Sequence, residues 1–353
     1  MAMQITLIPG RELGRDLVDR WTELQRSNPL LISPFFAPEF TSVVAAARND
    51  VEIALIQEGG EVVGFFPFQR ESKTIGRAVG HPLSDYHGVV CASELVFDPL
   101  ELLRACKLVA WDFDHLLVSQ RSFQPFHQFR EFSPIIDLSE GFDRYLEERK
   151  SSGSGLRRPL QFMRKLEREV GPLRFEKHVK DIAVLHWIMD KKSEQYNQSL
   201  SQADLFAQEW IRNTVETIFQ IQTPEFGGML SVLNAGSERI AALLNIRSSN
   251  VWHGWFLGFE DRFASYSPGF LLWLKMAECA SRLGIGYLDF GKGDQLYKKR
   301  LMNASIPLAC GSVELPSWVS FRRGAERKLR ALVKSSPLGE PLRRVMHRSR
   351  RMG

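Results

Sequence analysis

A Ser-Pro-Gly sequence at residues 267–269 marks a helix start that is suited to holding an anion. Ser267 is a favourable N-cap residue, and Pro268 fits the first helical position because its missing N–H would have no partner there. Gly269 carries no side chain that would block approach from outside. The free N–H groups of a first helical turn carry partial positive charge and bind phosphate. This segment therefore predicts a site for a phosphate-bearing cofactor.

A second segment rich in polar groups, Asp85-Tyr86-His87-Gly88, follows Pro82 in the first half of the chain. Loops of this kind often face a cleft, where their side chains hold a substrate. The same residues also suit an Asx-type turn around a buried Tyr86. The sequence leaves both interpretations open.

Several other classes of site lack their usual signatures. The four cysteines, Cys91, Cys106, Cys279 and Cys310, lie far apart and show no metal-ligand spacing, which is typical of free thiols in a reducing compartment. We predict neither a metal site nor a disulfide framework. No Gly-x-Ser-x-Gly sequence or dinucleotide fingerprint is present.

The length and composition of the chain indicate what kind of protein must position these residues. With 353 residues, of which 44% are apolar and 25% charged, the chain is long enough for two cores. It contains neither an apolar run of about 18 residues nor a signal-peptide core, so we predict a cytoplasmic protein without a transmembrane segment. Residues 321–353 contain 11 Lys/Arg and 2 Asp/Glu, a charge of +9, which leaves −4 of the total +5 for the rest. This basic tail either contacts RNA or an anionic surface, or is a solvated terminus.

An internal repeat indicates duplication. Residues 54–70 (ALIQEGGEVVGFFPFQR) and 231–247 (SVLNAGSERIAALLNIR) align without a gap, and each predicts a β-hairpin. A strand and two helices are predicted before each hairpin: 5–8, 12–26 and 37–47 in the first half, and 173–178, 182–196 and 207–221 in the second. The order predicts two like α/β units.

The predicted domains follow from this repeat and from a polar, glycine-containing segment at residues 150–155. They are an N-terminal unit (1–149), a basic linker helix (150–170), a C-terminal unit (171–320) and the basic tail (321–353). After its hairpin the second unit continues with a strand at 251–259, the Ser-Pro-Gly helix, a strand at 286–290, a helix near 294–302 and a strand near 309–315.

This order of elements resembles the GNAT acetyltransferase fold, and the resemblance implies tandem GNAT folds with mainly antiparallel mixed sheets flanked by helices. The phrases Phe36-Ala-Pro-Glu-Phe40, Pro82-Leu-Ser-Asp-Tyr-His-Gly88, Tyr266-Ser-Pro-Gly269 and Asp289-Phe-Gly-Lys-Gly-Asp294 with Tyr297-Lys298 resemble the acetyltransferase family named for the cellulose-biosynthesis protein CelD. That family is related to the Fem-type aminoacyltransferases. The resemblance covers about residues 36–301 and implies that the second unit binds acetyl-CoA or another acyl-CoA, with its diphosphate at Ser267, Pro268, Gly269 and Phe270. The usual family loop, Gln/Arg-x-x-Gly-x-Gly/Ala, is replaced here by Arg262-Phe-Ala-Ser-Tyr-Ser-Pro-Gly.

Acyl transfer needs a base and an acid, and the resemblance directs attention to three candidates. Asp289, at the end of a strand, is a candidate base or substrate anchor, or else a turn residue that holds the glycine loop. Tyr297 is a candidate acid or a half-buried aromatic residue. His253 is a candidate base in the pocket or a hydrogen-bonded residue of a buried strand.

Further residues are candidates for the acceptor side. Lys298 is a candidate phosphate or substrate contact, and Glu194 either reaches the acceptor or lies on a helix surface. Asp85, Tyr86 and His87 complete the predicted substrate site.

The function predicted is direct acyl transfer to an amino sugar, a polysaccharide precursor or another small or saccharide envelope acceptor, linked to exopolysaccharide or cellulose biosynthesis. Two alternatives stay open: a Fem-type transferase that uses aminoacyl-tRNA, and a non-catalytic binding module of an exopolysaccharide apparatus. The sequence makes no prediction of oligomeric state.

Overall fold

A computed structural model describes residues 3–153, 155–198 and 203–335, with side chains described up to residue 326. The strands are β1 (Gln4–Pro9), β2 (Val51–Glu58), β3 (Glu61–Arg70), β4 (Ile75–Ala78), β5 (Val90–Cys91), β6 (Ala110–Leu117), β7 (His127–Asp137), β8 (Leu173–Glu176), β9 (Gly227–Ala235), β10 (Glu238–Arg247), β11 (Val251–Phe259), β12 (Tyr287–Asp289) and β13 (Ala304–Glu314). The helices are α1 (Arg15–Ser27), α2 (Pro38–Ala47), α3 (Pro99–Ala105), α4 (Phe142–Ser151), α5 (Arg157–Glu169), α6 (Ile182–Gln198), α7 (Glu209–Gln220), α8 (Pro268–Arg282), α9 (Leu296–Leu301) and α10 (Trp318–Ser335).

The predicted duplication is confirmed. Both repeats form antiparallel hairpins, β2 with β3 and β9 with β10, and each is preceded by one strand and two helices. The turns contain glycines with positive φ, Gly59 and Gly60 in the first hairpin and Gly236 in the second. Because glycine lacks Cβ, it adopts this conformation without strain.

Within the described ranges the strands form one sheet of thirteen strands. Its order is β1-β2-β3-β4-β6-β13-β7-β12-β11-β10-β9-β8, with β5 paired to β3 off this path. The last strand of each half therefore pairs with the other half: β13 lies between β6 and β7, and β7 pairs with β12. Two exchanged strands join the halves.

Helices cover both faces of the second half of the sheet. On one face α8 packs with α4 and α5 over a core that includes Leu233, Leu243 and Trp252. On the other face α6 and α7 pack over Leu230, Leu244 and other side chains that point the opposite way along the same strands. Because both faces are buried, the strands contain long apolar runs without strict alternation.

The linker and the tail are also helical where they are described. The amphipathic segment predicted at residues 150–170 contains α5, whose Leu166 is fully buried against the α8 core. The tail begins as α10, and Arg323 binds the carboxylates of Asp112 and Glu314. The rest of the predicted basic tail, residues 336–353, lies outside the described residues. None of the helices in the described ranges has the length and apolar character needed to cross a membrane.

Candidate functional site

The sheet opens next to the predicted cofactor site. Strands β11 and β12 pair in parallel over three residue pairs that end at His253 and Asp289, where β12 stops and β11 continues. A cavity of about 480 Å³ lies along the uncovered part of β11, against Leu257 and Phe259. The start of α8 forms another wall. All four predicted cofactor residues line this cavity: Ser267, Pro268, Gly269 and Phe270.

Details of the helix start differ from the prediction. Ser267 stands at the N-cap position in the left-handed conformation (φ 55°), and its side chain makes no capping bond. Its carbonyl instead accepts the N–H groups of Phe270 (3.0 Å) and Leu271 (3.2 Å). Phe270 therefore has no free amide, and the N–H of Gly269 is the first-turn donor without an acceptor among the described residues. Gly269 also lacks open space at its Cα, because a Cβ there would lie 2.9 Å from Leu257 Cδ2.

Two arginines and a tyrosine complete the cavity wall. Arg158 of α5 and Arg300 of α9 are exposed and bring positive charge to the same cavity as the Gly269 amide. Tyr297 is half-buried there, with its ring 6.1 Å from that of Phe290. Burial raises the pKa of Tyr297 to about 12, so its hydroxyl stays protonated at neutral pH. The cavity combines anion-binding groups with a proton donor.

On β11, four residues before the cavity-lining Leu257, His253 joins the two halves of the chain. Its Nε2 lies 2.8 Å from Asp85 Oδ2 in the first half, and its Nδ1 lies 3.5 Å from Asp289 Oδ1 in the second. His253 and Asp289 are fully buried, while the Asp85 side chain is 25% exposed. Three residues predicted on separate grounds are therefore brought together, and Asp85 is the member of the group that reaches solvent.

The charges of this group follow from its geometry. Burial favours the neutral form of His253, but the carboxylates of Asp289 and Asp85 outweigh burial and raise its pKa to about 9. Burial likewise favours the neutral form of both carboxyls, and the positive charge of His253 lowers the pKa of each. At neutral pH an imidazolium stands between two carboxylates.

Asp289 is held by donors on several sides. It accepts hydrogen bonds from the hydroxyls of Tyr86 and Ser133, each at 2.5 Å, and from the N–H of Gly291 at 2.8 Å. The bond to Gly291 is the turn contact weighed from the sequence. The oxygens of Asp289 therefore face protein donors from both halves of the chain.

Lys298 supports the loop that contains Gly291 and Gly293. Its buried Nζ donates to the carbonyls of Gly291 (2.9 Å) and Lys292 (3.0 Å), and burial lowers its pKa. A Cβ on Gly291, whose φ is +69°, would lie 2.7 Å from Asp85 Oδ2. The loop therefore packs directly against the Asp85 carboxylate.

The other predicted acceptor residues lie apart from His253. His87 is buried in a neighbouring group with Ser84, Asp114 and His115. Glu194 is exposed on α6, and its carboxylate lies 3.5 Å from Lys191, so the structure does not bring it to this site.

Two contributors were missed from the sequence. Ser133 lies on β7, the exchanged strand, and nothing in its local sequence connects it to Asp289. Lys192 of α6 is the other, and burial together with the charge of Lys298 lowers its pKa to about 8. A lysine on the amphipathic helix α6 gives no sequence signal, because most such residues are solvated.

Comparison with known proteins agrees with this geometry. Residues 156–299 match the family model described as "Acetyltransferase (GNAT) domain". This matched segment is similar to that family and spans less than half of the chain. It contains His253, Asp289 and the cavity-lining residues except Arg300, and it confirms the prediction of an enzyme of the acyltransferase class. No curated protein gives a significant sequence match.

Solved structures share the fold over most of the chain. FemX matches with a TM-score of 0.55 and 11% identity, covering 84% of this chain and 94% of that one. The C-terminal domain of a putative lysylphosphatidylglycerol synthetase from Agrobacterium fabrum gives 0.52 and 14%, covering 86% and 93%. A tandem GNAT protein of the clavulanic acid biosynthesis pathway gives 0.51 and 9%, covering 90% and 100%. The predicted tandem GNAT fold is confirmed, as is its likeness in fold to a Fem-type protein, whereas the link to the CelD-named family stays a prediction.

Proposed function

We propose that the chain transfers an acyl group from acyl-CoA directly to an acceptor that binds at Asp85. One observation carries the proposal: strand β11 lines a cavity with an unpaired helix-start amide and two arginines, and the same strand carries the buried His253, whose charge network ends at a partly exposed carboxylate. The groups suit the negatively charged end of a coenzyme at one side and a polar acceptor at the other.

The residues present fit acyl-CoA. The Gly269 amide, Arg158 and Arg300 would hold its diphosphate, because amides at a helix start and guanidinium groups are the usual partners of phosphate. The apolar side chains of Leu257 and Phe259 would line the pantetheine region. Bound acyl-CoA would supply an activated thioester for attack by the acceptor.

The proton steps are assigned to Asp85 and Tyr297. An amine or hydroxyl acceptor donates a hydrogen bond to the Asp85 carboxylate, and an acceptor nitrogen becomes strongly acidic once it bonds to the acyl carbon. A carboxylate with a lowered pKa can take that proton. The Tyr297 hydroxyl donates a proton to the leaving sulfur, and His253 keeps Asp85 oriented.

For the acceptor we retain an amino sugar, a polysaccharide precursor or a similar saccharide of the envelope, acting in exopolysaccharide or cellulose biosynthesis. This rests on the resemblance of the Tyr266-Ser-Pro-Gly269 and Asp289–Asp294 phrases. The main competitor is aminoacyl transfer from tRNA, for which the FemX-like fold and the basic tail are the motivating observations.

Ligand binding tests the proposal most directly. Acetyl-CoA or CoA at about 100 times its Kd would stabilise the folded state by about 2.7 kcal/mol and raise the melting temperature by several degrees. Arg300→Glu should reduce this shift, because a carboxylate at the cavity repels the diphosphate. Lys299→Glu is the matched control, since Lys299 is the exposed neighbour on α9 and does not line the cavity.

The outcomes separate the candidate functions. A shift with both CoA ligands that Arg300→Glu alone weakens supports the proposal, and no shift at millimolar ligand contradicts it. Salt-dependent binding of tRNA that is lost on deleting residues 321–353, together with no response to CoA, would favour the aminoacyl-tRNA reaction. Binding of acetyl-CoA without release of its free CoA thiol in the presence of amine or hydroxyl acceptors would favour a non-catalytic module.

A further inference from the structure

A second group of titratable side chains lies beside Asp85 and takes no part in the proposed reaction. His87, Asp114 and His115 each direct one ligand atom into a common space, and these three atoms lie within 4.8 Å of one another. Both histidines are buried, and the Asp114 side chain is 42% exposed. We propose that these three residues bind a divalent transition-metal ion of the zinc class.

The backbone explains how adjacent residues on a strand share one site. In the pairing of β6 with β13 the register shifts, so that Asp114 and His115 together oppose the single residue Cys310. A β-bulge of this kind places two neighbouring side chains on one side of the strand, whereas regular pleating would separate them. His87 reaches the same place because it forms a bridge to Leu116 of β6.

The distances suit coordination. Asp114 Oδ1 lies 3.0 Å from His115 Nδ1 and 3.6 Å from His87 Nδ1. Two ligand atoms bound tetrahedrally to zinc at about 2.0–2.1 Å lie about 3.3 Å apart. Small rotations of the side chains therefore suffice, and the metal would replace the proton between Asp114 and His115.

The outer nitrogen of each histidine faces an acceptor. His87 Nε2 lies 3.2 Å from both the hydroxyl and the carbonyl oxygen of Ser84, and the carbonyl, which can only accept, favours the tautomer with the proton on this nitrogen. His115 Nε2 lies 3.5 Å from Asp85 Oδ1. Metal-binding histidines characteristically donate their outer N–H to a carbonyl or carboxylate, which fixes the tautomer with the inner nitrogen as ligand.

Among the atoms of this group, His87 Nδ1 most needs a binding partner. It is buried and has no hydrogen-bond partner in the described part of the chain. Neutral imidazole with its proton on Nε2 leaves a lone pair on Nδ1, and a buried lone pair of this kind is costly unless something binds it. A metal ion that enters past the partly exposed Asp114 would satisfy it.

The donor set selects the class of metal. Two imidazole nitrogens and one carboxylate oxygen suit zinc, cobalt or iron, whereas magnesium and calcium prefer oxygen ligands throughout. The nearby Lys292 ammonium donates to the backbone carbonyl of Asp114 (2.9 Å) and leaves the carboxylate oxygens free to bind.

Metal binding to the untagged full chain tests the proposal. After treatment with a chelator, the protein is titrated with Zn²⁺ and with Co²⁺, whose visible absorption reports ligand geometry. We expect one saturable site and a rise in melting temperature with Zn²⁺. Asp114→Asn should weaken binding by at least about 100-fold, since loss of an outer-shell partner alone typically costs 10–100-fold.

Two further variants distinguish coordination at this site from loose binding at a surface histidine and from a loss of folding. His186→Ala is the control, because His186 is an exposed histidine on α6 that lies 2.8 Å from Glu216 and could hold metal only loosely. It should retain the wild-type affinity. His87→Gln should lose the site even if Asp114→Asn folds poorly, and urea unfolding in chelator checks that each variant is folded. No saturable binding by the wild type, or equal affinity in Asp114→Asn and His186→Ala, would overturn the proposal.

Discussion

The charge of His253 predicts a specific dependence of stability on pH. The folded-state pKa of about 9 lies above the usual value of 6.5, so the folded protein binds a proton that the unfolded chain releases. The resulting stabilisation is fully present below about pH 6.5 and is lost as the pH rises through 9. A difference of about 2.5 pKa units corresponds to about 3 kcal/mol, at about 1.4 kcal/mol per unit.

The assay compares the wild type with His253→Gln by urea unfolding between about pH 6 and pH 9.5. Glutamine can still donate to Asp85 but does not titrate, so the variant lacks this dependence. The free energy of unfolding of the wild type minus that of the variant should fall by about 3 kcal/mol over this range. The lowered pKa of Lys192 acts in the opposite direction, but it is present in both proteins and cancels in the difference.

His186→Gln provides the matched control, since it removes an exposed histidine of α6. Its stability difference from the wild type should change far less over this range, because an ion pair between two exposed side chains contributes little. If His253→Gln also gave a constant difference, the inference that an imidazolium stands between two carboxylates would be refuted.

Three further predictions concern other parts of the chain. Gly291→Ala should destabilise the protein by about 1–3 kcal/mol in urea unfolding, because φ is +69° and the new Cβ meets Asp85; an unchanged midpoint would contradict this. Tyr297→Phe should lower kcat by about 100-fold or more in a thiol-release assay and leave KM for acyl-CoA unchanged, whereas an unchanged kcat would exclude the tyrosine as the acid. Arg323→Ala should lower the free energy of unfolding by about 1–2 kcal/mol, because Arg323 is partly buried between carboxylates of β6 and β13. Its exposed neighbour is the control, and Arg322→Ala should lower it by less than about 0.5 kcal/mol. Equal losses would show that these ion pairs do not anchor α10 to the sheet.

Most helices and strands could be predicted because their signals are local. Periodicity and flanking turn residues predicted β11 at its observed bounds and α8 with its start at Pro268. The prediction that the Ser267 side chain caps α8 was wrong, because the left-handed backbone at Ser267 directs the hydroxyl away from the first-turn N–H groups. Residue preferences at the N-cap do not predict the backbone angle φ. The strand exchange could not be predicted, since nothing in the local sequence of β7 or β13 indicates which strand it pairs with.

The candidate site was predictable as a set of residues but not as an arrangement. His253 and Asp85 are 168 positions apart, and only the fold brings their atoms to 2.8 Å. The direction of the His253 pKa shift follows from its contacts with Asp289 and Asp85, so its protonation at neutral pH could not be foreseen. The His87, Asp114 and His115 group lacked any motif spacing because a bulge in β6 assembles it.

The exchanged strands also constrain how the chain folds during synthesis. When residues 1–149 have left the ribosome, the edge of β6 lacks the strand that covers it, because β13 is made almost 200 residues later. The first half cannot close its sheet early, and pairings of such long sequence separation form slowly. The first half must therefore persist as an incomplete sheet with an exposed edge, the kind of intermediate that chaperones protect from aggregation. Separately expressed halves would carry the same open edge permanently.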